Sequence, residues 1–353
     1  MALTQYRSRS TTVAKVHDSA SLKQILDESL LEAETIIVKP NWVDTEPGGY
    51  TDTRSLRVLF EALDTKIIVT ESLHFARVKN LPELSIRLPG EDRYVDWHWF
   101  LKGEGWRWLI DNPDWSWFKD DGWWDQLHIA DKEFLDEYGY TDLFQEFDVT
   151  YINTTNEVWG GGYADPMKVK EVVEQRFPPV MVQSLYGMVP EKLYMLRGSP
   201  MISFARLKQY ATFTLKNMFG LIIHPMRTWW HDINNVKIAS SIVDINKVYH
   251  SLFNMYGICE SLYQTAVPHP EGEYDALYMG RYDLIDGFGV VATGKDLVAL
   301  DSLMLRLNKK WINISEKVNV KPIQYAEEQG LGHADKEAIN KAEEEIGNWY
   351  TFS

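Results

Sequence analysis

The 353-residue sequence contains a single cysteine, Cys259, and no long apolar run. One cysteine cannot form a disulfide within the chain or supply the thiolates of an iron–sulfur cluster, so we expect no such cluster. A membrane-spanning helix needs about 18 consecutive apolar residues, so we expect no membrane partner. The first residues also lack the apolar segment of a secretory signal, which predicts a cytoplasmic location.

Positive charge is also scarce, because the formal net charge is −15 at pH 7. Nucleic acids and anionic membrane surfaces attract proteins through a dominant cationic face, so both are disfavoured as partners. Local basic clusters can still line a cleft, where they would favour a small anionic molecule. The hydrophobic content of 45% is ample for a large core and excludes a disordered chain.

Strand and helix patterns alternate in the first third of the chain. Residues 36–39 and 66–70 read as buried strands, and residues 53–63 carry apolar side chains at helical spacing. A further helix is expected over residues 21–33. This alternation predicts an α/β fold with a mostly parallel sheet covered by helices.

Ligands of such sheets bind beyond the carboxyl ends of the strands. This rule places Lys39, Asn41, Glu71 and Ser72 on the functional edge. Each position also has a structural alternative. Asn41 could bond its own backbone in a turn, and Lys39 could extend its ammonium group to solvent.

The stretch 202–223 reads as a strand, a polar turn and a short helix. A helix N-terminus presents backbone N–H groups and is electropositive, which favours an anion. Polar and cationic side chains cluster beside it: Arg206, Lys208, Lys216 and Asn217. The stretch therefore predicts a seat for an anionic ligand.

The next segment contains His224, Arg227, His231 and Asp232. Histidine and carboxylate ligands suit zinc, iron or nickel, so this segment could bind a divalent metal, and a metal-dependent oxygenase is one hypothesis. Alternatively, it is a polar loop beside packed tryptophans. Arg227 could bind a carboxylate or phosphate through its guanidinium fork.

Asp301 lies inside a predicted helix over residues 297–308, for which Asp296 is the expected N-cap. Apolar residues flank Asp301, and a carboxylate in such surroundings must find a partner or be protonated. It is either part of a buried structural bond or a ligand for metal or substrate.

Residues 89–150 contain eight of the fourteen tryptophans. The pairs Trp97/Trp99 and Trp115/Trp117 are two residues apart, which is typical of half-buried strands or irregular loops. These residues could form an aromatic wall against a ligand, the core of a small insertion or lid, or a surface that contacts a partner protein or a second copy of the chain.

The sequence RLKQYATFTLKNMFGL at residues 206–221 resembles the central signature of the domain of unknown function 362 (DUF362) family. Four other segments are also similar to this family: IIVKPNW at 36–42, IIVTES at 67–72, VVATGKDLVALD at 290–301 and AEEQGLGHADKEAI at 326–339. The resemblance does not extend to residues 89–150. It implies a shared fold and site. Some members carry ferredoxin-like cysteine clusters, which this sequence lacks.

These observations predict one α/β unit with an N-terminal half (1–88), a Trp-rich insertion or lid (89–150) and a C-terminal half with a helical tail (151–353). We expect an enzyme that binds a small carboxylate or phosphate in a cleft at the strand ends, with its reaction class open. The alternative is a non-catalytic protein that docks a partner through the insertion. The expected catalytic residues are Lys208, Lys216 and Glu71; the substrate-binding residues are Lys39, Asn41, Arg206, Asn217 and Arg227; and the metal ligands are His224, His231 and Asp301.

Overall fold

The computed structural model of the chain describes residues 3–43, 45, 47–77, 85–96, 99–100, 103–208, 212–268, 282–312 and 319–350. Trp97 lies outside these residues. The described strands are β1 (Gln5–Arg7), β2 (Thr11–Lys15), β3 (Thr35–Lys39), β4 (Lys66–Glu71), β5 (Ser85–Arg87), β6 (Tyr94–Asp96), β7 (Thr150–Asn153), β8 (Pro200–Arg206), β9 (Asn254–Ser261), β10 (Gln264–Pro268), β11 (Tyr282–Asp286) and β12 (Val290–Gly294).

Eight of these strands form one sheet in the order β1-β2-β12-β9-β8-β3-β4-β7. Strands β9, β8, β3, β4 and β7 pair in parallel. Strands β12, β2 and β1 extend the sheet with antiparallel pairings. The prediction of an α/β fold with a mostly parallel sheet is therefore confirmed.

Helices cover both faces of this sheet. The described helices are α1 (Ser19–Lys23), α2 (Glu28–Leu31), α3 (Thr53–Leu63), α4 (Gly103–Asp111), α5 (Ser116–Asp120), α6 (Trp123–Glu137), α7 (Tyr140–Glu146), α8 (Thr154–Trp159), α9 (Pro166–Glu174), α10 (Glu191–Tyr194), α11 (Thr214–Asn217), α12 (Thr228–His231), α13 (Ile238–Leu252), α14 (Leu297–Trp311), α15 (Lys321–Glu328) and α16 (Lys336–Ile346).

Alternate side chains of β3 show how the layers form. Ile36 and Val38 belong to the core that contains α3, and Ile37 belongs to the core that contains α13. Successive side chains of a strand point to opposite faces, so a strand buried on both sides reads as a continuous apolar run. This is why residues 36–39 were recognisable as a buried strand.

Two helices begin as the sequence predicts. α3 covers residues 53–63, and the Asp52 carboxylate accepts a hydrogen bond from the Ser55 backbone N–H at 2.9 Å. α14 follows Asp296, whose carboxylate accepts a hydrogen bond from the Ala299 N–H at 2.9 Å. Each carboxylate satisfies a backbone donor that lacks a partner within the helix.

The helix predicted over residues 21–33 is wrong in its extent. Two short helices, α1 and α2, take its place, with a break between Lys23 and Glu28. The Asp27 carboxylate accepts a hydrogen bond from the Ser29 backbone N–H at 3.0 Å. Asp27 therefore acts as the N-cap of a new helix instead of continuing the first one.

Six tryptophans of residues 89–150 pack into one small core, to which Leu73, Phe75 and Met226 from outside this range also contribute. Trp115 is buried, and Trp99, Trp108, Trp117, Trp123 and Trp124 are half-buried around it. The interpretation of the two-residue spacing as a half-buried strand or an irregular loop is wrong for Trp115 and Trp117, because Trp115 is the N-cap of α5 and Trp117 lies within that helix. Further along, α6 and α7 contribute Phe134 and Tyr140 to the core on the α3 face of the main sheet.

This packing agrees with the interpretation that the tryptophans form a core. A role of this segment in docking a partner protein or a second copy of the chain stays a prediction. Separately, none of the helices in the described ranges combines the length and the apolar character needed to cross a bilayer.

Candidate functional site

The five parallel strands carry polar residues at or near one common edge of the sheet. These residues are Lys39 on β3, Glu71 on β4, Asn153 on β7, Arg206 on β8 and Glu260 on β9. The chain passes from β3 to β4 through α3 on one face, and from β8 to β9 through α13 on the other face. The strand order thus reverses between β3 and β8, which is where open α/β sheets bind ligands.

A buried ion pair lies at this reversal point. The Lys39 Nζ atom is 2.7 Å from Glu71 Oε2, and it also donates hydrogen bonds to Pro40 O at 2.8 Å and Asn217 Oδ1 at 3.2 Å. Both Lys39 and Glu71 are 1% exposed. Burial lowers the pKa of Lys39 to about 8, while the Glu71 carboxylate opposes this shift. Each charge is therefore stabilised mainly by its partner.

Two asparagines connect this pair to Lys208. The Asn217 side chain donates to Lys39 O at 2.8 Å, and Asn41 Nδ2 donates to Asn217 Oδ1 at 3.2 Å. The Lys208 Nζ atom donates to Asn41 Oδ1 at 2.7 Å. A continuous chain of hydrogen bonds thus runs from Lys208 through both asparagines and Lys39 to Glu71. We call these five residues the strand-end network.

Lys216 lies beside the strand-end network, at a partly buried position on α11. Burial lowers the pKa of Lys216 to about 8, and repulsion from Lys208 contributes to the shift. Lys216 in turn helps to lower the pKa of His231. An amine with a pKa near 8 can both donate and accept a proton around neutral pH.

Arg227 lies close to Glu71 and contacts the next residue, Ser72. Its guanidinium donates hydrogen bonds to Ser72 Oγ and to Gly220 O, the latter at 2.9 Å. Burial lowers the pKa of Arg227 to about 10, although Glu71 opposes the shift. Gly220 packs closely here, because a Cβ atom at this position would lie 2.5 Å from Lys39 Nζ. The glycine of the MFGL sequence therefore leaves room for the ion pair.

Arg206 has a different environment from the one expected of a substrate ligand. Its guanidinium donates hydrogen bonds to Tyr50 O at 2.7 Å and Asp52 Oδ2 at 3.2 Å, and its Nε lies 3.8 Å from Glu260 Oε1. Arg206 is 1% exposed. These contacts join β8 to the loop before α3 and to β9. The structure therefore places Arg206 in a buried structural cluster and not in the strand-end network.

Asp301 fills the anion seat that the sequence predicts at the start of α11. Its carboxylate accepts hydrogen bonds from the backbone N–H groups of Phe213, Thr214 and Leu215 at 2.9, 2.9 and 3.1 Å, and from Thr214 Oγ1 at 2.6 Å. Burial raises the pKa of Asp301 to about 6, against the effect of these hydrogen bonds. The backbone donors of this helix therefore bind an internal carboxylate. The sequence instead predicted that the donors bind an external anion and that Asp301 binds a metal ion.

The predicted metal ligands do not come together with Asp301. His224 Nδ1 accepts a hydrogen bond from Trp230 Nε1 at 2.9 Å, and His231 Nδ1 lies 2.8 Å from Asn235 Oδ1. Burial lowers the pKa of His224 to about 3 and that of His231 to about 4. Across the described ranges, His, Cys, Asp and Glu side chains form no group of three that could hold a metal ion.

A second buried ion pair next to the network was not recognised from the sequence. Arg77 Nη2 lies 2.8 Å from Asp131 Oδ1, and the same guanidinium donates to Ser72 O at 2.6 Å. Asp131 Oδ2 accepts a hydrogen bond from Asn153 Nδ2 at 2.8 Å. The pair ties α6 to the ends of β4 and β7. The only sequence signal is that Arg77 follows β4 closely and that Asn153 ends a strand.

His74 was also missed. It lies three residues after Glu71, and its ring Nδ1 accepts a hydrogen bond from the Ala76 backbone N–H at 3.1 Å. Burial lowers its pKa well below the ordinary value, and the nearby charges of Arg227 and Arg77 add to this shift. Its position just beyond a parallel strand is the signal that could have identified it.

One comparison with known proteins gave a match. The model of the family described as Domain of unknown function (DUF362) matches residues 128–306, which is half of the chain. The match begins inside α6 and includes β7, β8, β9, β12 and the helix that carries Lys216. No curated protein and no solved structure matches the chain.

Proposed function

The chain belongs to the DUF362 family, whose description names no activity, and we propose its function from the strand-end network. The protein is an enzyme that binds a small organic anion, a carboxylate or a phosphate, at the carboxyl ends of β3, β4 and β8. Lys208 and Lys216 attract the anion, and Lys216 transfers a proton.

One observation carries this proposal. Residues that are far apart in the sequence, from Lys39 to Asn217, form a single hydrogen-bonded network at the reversal point of the sheet. Burying several charged side chains costs free energy unless they are paired, so a fold without a use for them would more simply bury apolar residues. Strained or costly arrangements of this kind concentrate at functional sites.

The local charge also supports an anionic ligand. Lys39 and Arg227 lie close to Glu71, and Lys208 lies close to Lys216, in a protein whose net charge is −15. A local group of cations in an acidic protein directs small anions toward it, while the remaining acidic surface repels polyanions. The partly buried position of Lys216 strengthens its electrostatic effect, because the effective dielectric constant is lower there than in water.

The lowered pKa of Lys216 supports a role in proton transfer. With a pKa of about 8, the amine is close to the value at which general acid–base catalysis is efficient at neutral pH. Lys39 has a similarly lowered pKa but is held in the ion pair with Glu71. We therefore assign proton transfer to Lys216 and a positioning role to Lys39 and Glu71.

The test is a panel of carboxylates and phosphates, screened by ligand-induced thermal stabilisation. A ligand at 100 times its Kd stabilises the folded state by about 2.7 kcal/mol. We expect at least one anion to stabilise the wild type and Lys216→Ala to weaken its binding about tenfold or more. Raising the salt concentration should weaken binding as well.

Lys66→Ala is the matched control. It removes the same charge at an exposed position, at the opposite end of β4 from Glu71. Its affinity for the anion should equal that of the wild type. Equal binding by wild type and Lys216→Ala across the panel would refute the proposed site.

A further inference from the structure

The hydrogen-bonding capacity of the Asn217 side chain is used entirely within the protein. Its Oδ1 atom accepts hydrogen bonds from Lys39 Nζ and Asn41 Nδ2, each at 3.2 Å. Its Nδ2 atom donates to Lys39 O at 2.8 Å and to Ser203 Oγ at 3.2 Å. A primary amide has two lone pairs on oxygen and two N–H groups, so these four contacts leave none for a ligand. The side chain is also 3% exposed, so any effect of Asn217 on a ligand must pass through its neighbours.

Lys39 determines which way the Asn217 amide faces. The Lys39 ammonium group can only donate, so it requires the Oδ1 end of the amide. The Lys39 carbonyl can only accept, so it requires the Nδ2 end. A reversed amide would place two donors together at one end and two acceptors together at the other. Because the ammonium group is itself held by Glu71 at 2.7 Å, buried groups set the orientation of Asn217.

The same selection of amide ends passes from Asn217 to Asn41 and then to Lys208. Asn217 Oδ1 is an acceptor and therefore selects the Nδ2 end of Asn41. The Oδ1 end of Asn41 then faces Lys208 Nζ, from which it accepts a hydrogen bond at 2.7 Å. If Asn41 were reversed, its NH₂ group would meet the ammonium group, and neither group accepts a hydrogen bond. The orientation of Asn41 therefore decides whether Lys208 has this acceptor.

Two oxygen atoms hold the ammonium group of Lys208: Asn41 Oδ1 at 2.7 Å and Gly49 O at 2.6 Å. A lysine side chain has a flexible four-carbon stem, so such contacts define where its charge lies. We infer that Asn217 is a positioning residue, which acts through Asn41 to fix Lys208 where Lys208 binds the anion. This inference rests on the proposed function. It gives Asn217 a role other than the substrate contact expected from the sequence.

Double-mutant cycles on anion affinity test the route from Asn217 to Lys208. The probes are succinate and inorganic phosphate, one for each proposed ligand class, and titration calorimetry measures their affinities. Asn217→Ala should weaken binding about threefold to tenfold, which corresponds to one hydrogen bond. In the Lys208→Ala background the same change should have no further effect, because the residue through which Asn217 acts is gone. In the Lys216→Ala background the full loss should persist.

A further loss when Asn217→Ala is added to Lys208→Ala would overturn the inference. It would show that Asn217 contacts the ligand directly or acts through α11, which also carries Lys216. A wild type that binds neither probe would instead contradict the proposed function, and a ligand-free measurement of Lys208 then decides the inference.

Asn153→Ala is the matched control. It removes another buried asparagine at the same edge of the sheet, whose Nδ2 donates to Asp131 Oδ2 at 2.8 Å. This variant should lower the free energy of unfolding and leave anion affinity unchanged. If it weakened binding as much as Asn217→Ala does, the effect of Asn217 would be general destabilisation, and the inference would fail.

The ammonium group of Lys208 can also be observed without a ligand. Ammonium groups held by hydrogen bonds exchange protons slowly with water and give ¹H–¹⁵N correlation signals, and Lys208→Arg identifies the Lys208 signal. We expect Asn217→Ala to shift or remove this signal and Asn153→Ala to leave it unchanged. Asn217→Ser, whose side chain is also shorter, replaces Asn217→Ala if that variant does not fold. A Lys208 signal that is absent from the wild type, or unchanged in the Asn217 variant, would overturn the inference.

Discussion

Thr214 and Asp301 are joined by two hydrogen bonds, from the Thr214 backbone N–H at 2.9 Å and from its hydroxyl at 2.6 Å to the same carboxylate oxygen. Thr214 begins α11, and Asp301 lies in the middle of α14. The two residues therefore fix α11 to a long helix in the core. Because α11 carries Lys216 and Asn217, this contact also sets the position of the candidate site.

Asp301→Ala should destabilise the protein by about 3 kcal/mol or more. The variant leaves three buried backbone N–H groups without an acceptor, and each unsatisfied donor costs about 1–3 kcal/mol when it cannot reach water. Urea denaturation followed by circular dichroism measures the change. Asp120→Ala, at an exposed position on α5, should stay within about 0.5 kcal/mol of the wild type. Similar small losses for both variants would show that the Asp301 contacts are weak.

Lys39→Met should cost about 3–5 kcal/mol, because it leaves the buried Glu71 carboxylate without its cation. Adding Glu71→Leu to Lys39→Met should restore part of that loss, since the unpaired charge is then removed. Urea denaturation of the two single variants and the double variant completes a double-mutant cycle. Strictly additive losses would contradict a direct coupling between the two side chains.

Gly220→Ala should weaken the anion site and destabilise the fold by about 1–3 kcal/mol. The added Cβ would lie 2.5 Å from Lys39 Nζ and 2.8 Å from Glu71 Oε1, so the ion pair must shift. Gly187→Ala is a suitable control, because its Cβ would meet only Pro166 Cγ at 3.6 Å, an ordinary contact distance. Denaturation midpoints and anion affinity are compared for both. Equal behaviour of the two variants would show that the ion pair adapts freely.

The stability contributed by Lys216 should rise as the pH increases above about 8. The pKa of Lys216 is lowered by burial from 10.5 to about 8 in the folded state. Between these values the unfolded chain binds more protons than the folded protein, so higher pH favours folding; below the folded-state pKa the cost of the buried charge is constant. The difference in the free energy of unfolding between wild type and Lys216→Met should therefore change in favour of the wild type as the pH rises through this range. A difference that is independent of pH would show an ordinary lysine pKa.

Much of the fold could be predicted from local pattern. The helix over residues 53–63 and the Asp296 N-cap follow from spacing and capping chemistry, which depend only on neighbouring residues. The residues of the strand-end network come together because of topology, since the carboxyl ends of parallel strands share one edge of the sheet. These residues are Lys39, Asn41, Glu71, Lys208 and Asn217. These predictions needed no knowledge of individual side-chain contacts.

The predictions that differed from the structure depended on distant partners. The role of Asp301 is set by the backbone at residues 213–215, and that of Arg206 by Asp52 and Glu260. Nothing near either residue in the sequence indicates these contacts. His74 was missed for another reason, because the loop that contains it has no regular pattern, although the loop directly follows β4. Position relative to the end of a strand was a better guide to the site than residue type alone.

The tryptophan-lined core has an optical consequence. Its indole rings lie close together; the rings of Trp108 and Trp117, for example, have centroids 5.6 Å apart. Seven of the tryptophans that the structure describes belong to this core, so intrinsic emission on heating will report on it strongly, whereas far-ultraviolet dichroism will follow the helices around the large sheet. Two different midpoints from these signals would reveal that the small unit melts on its own, and a single midpoint would show that both cores unfold as one cooperative body.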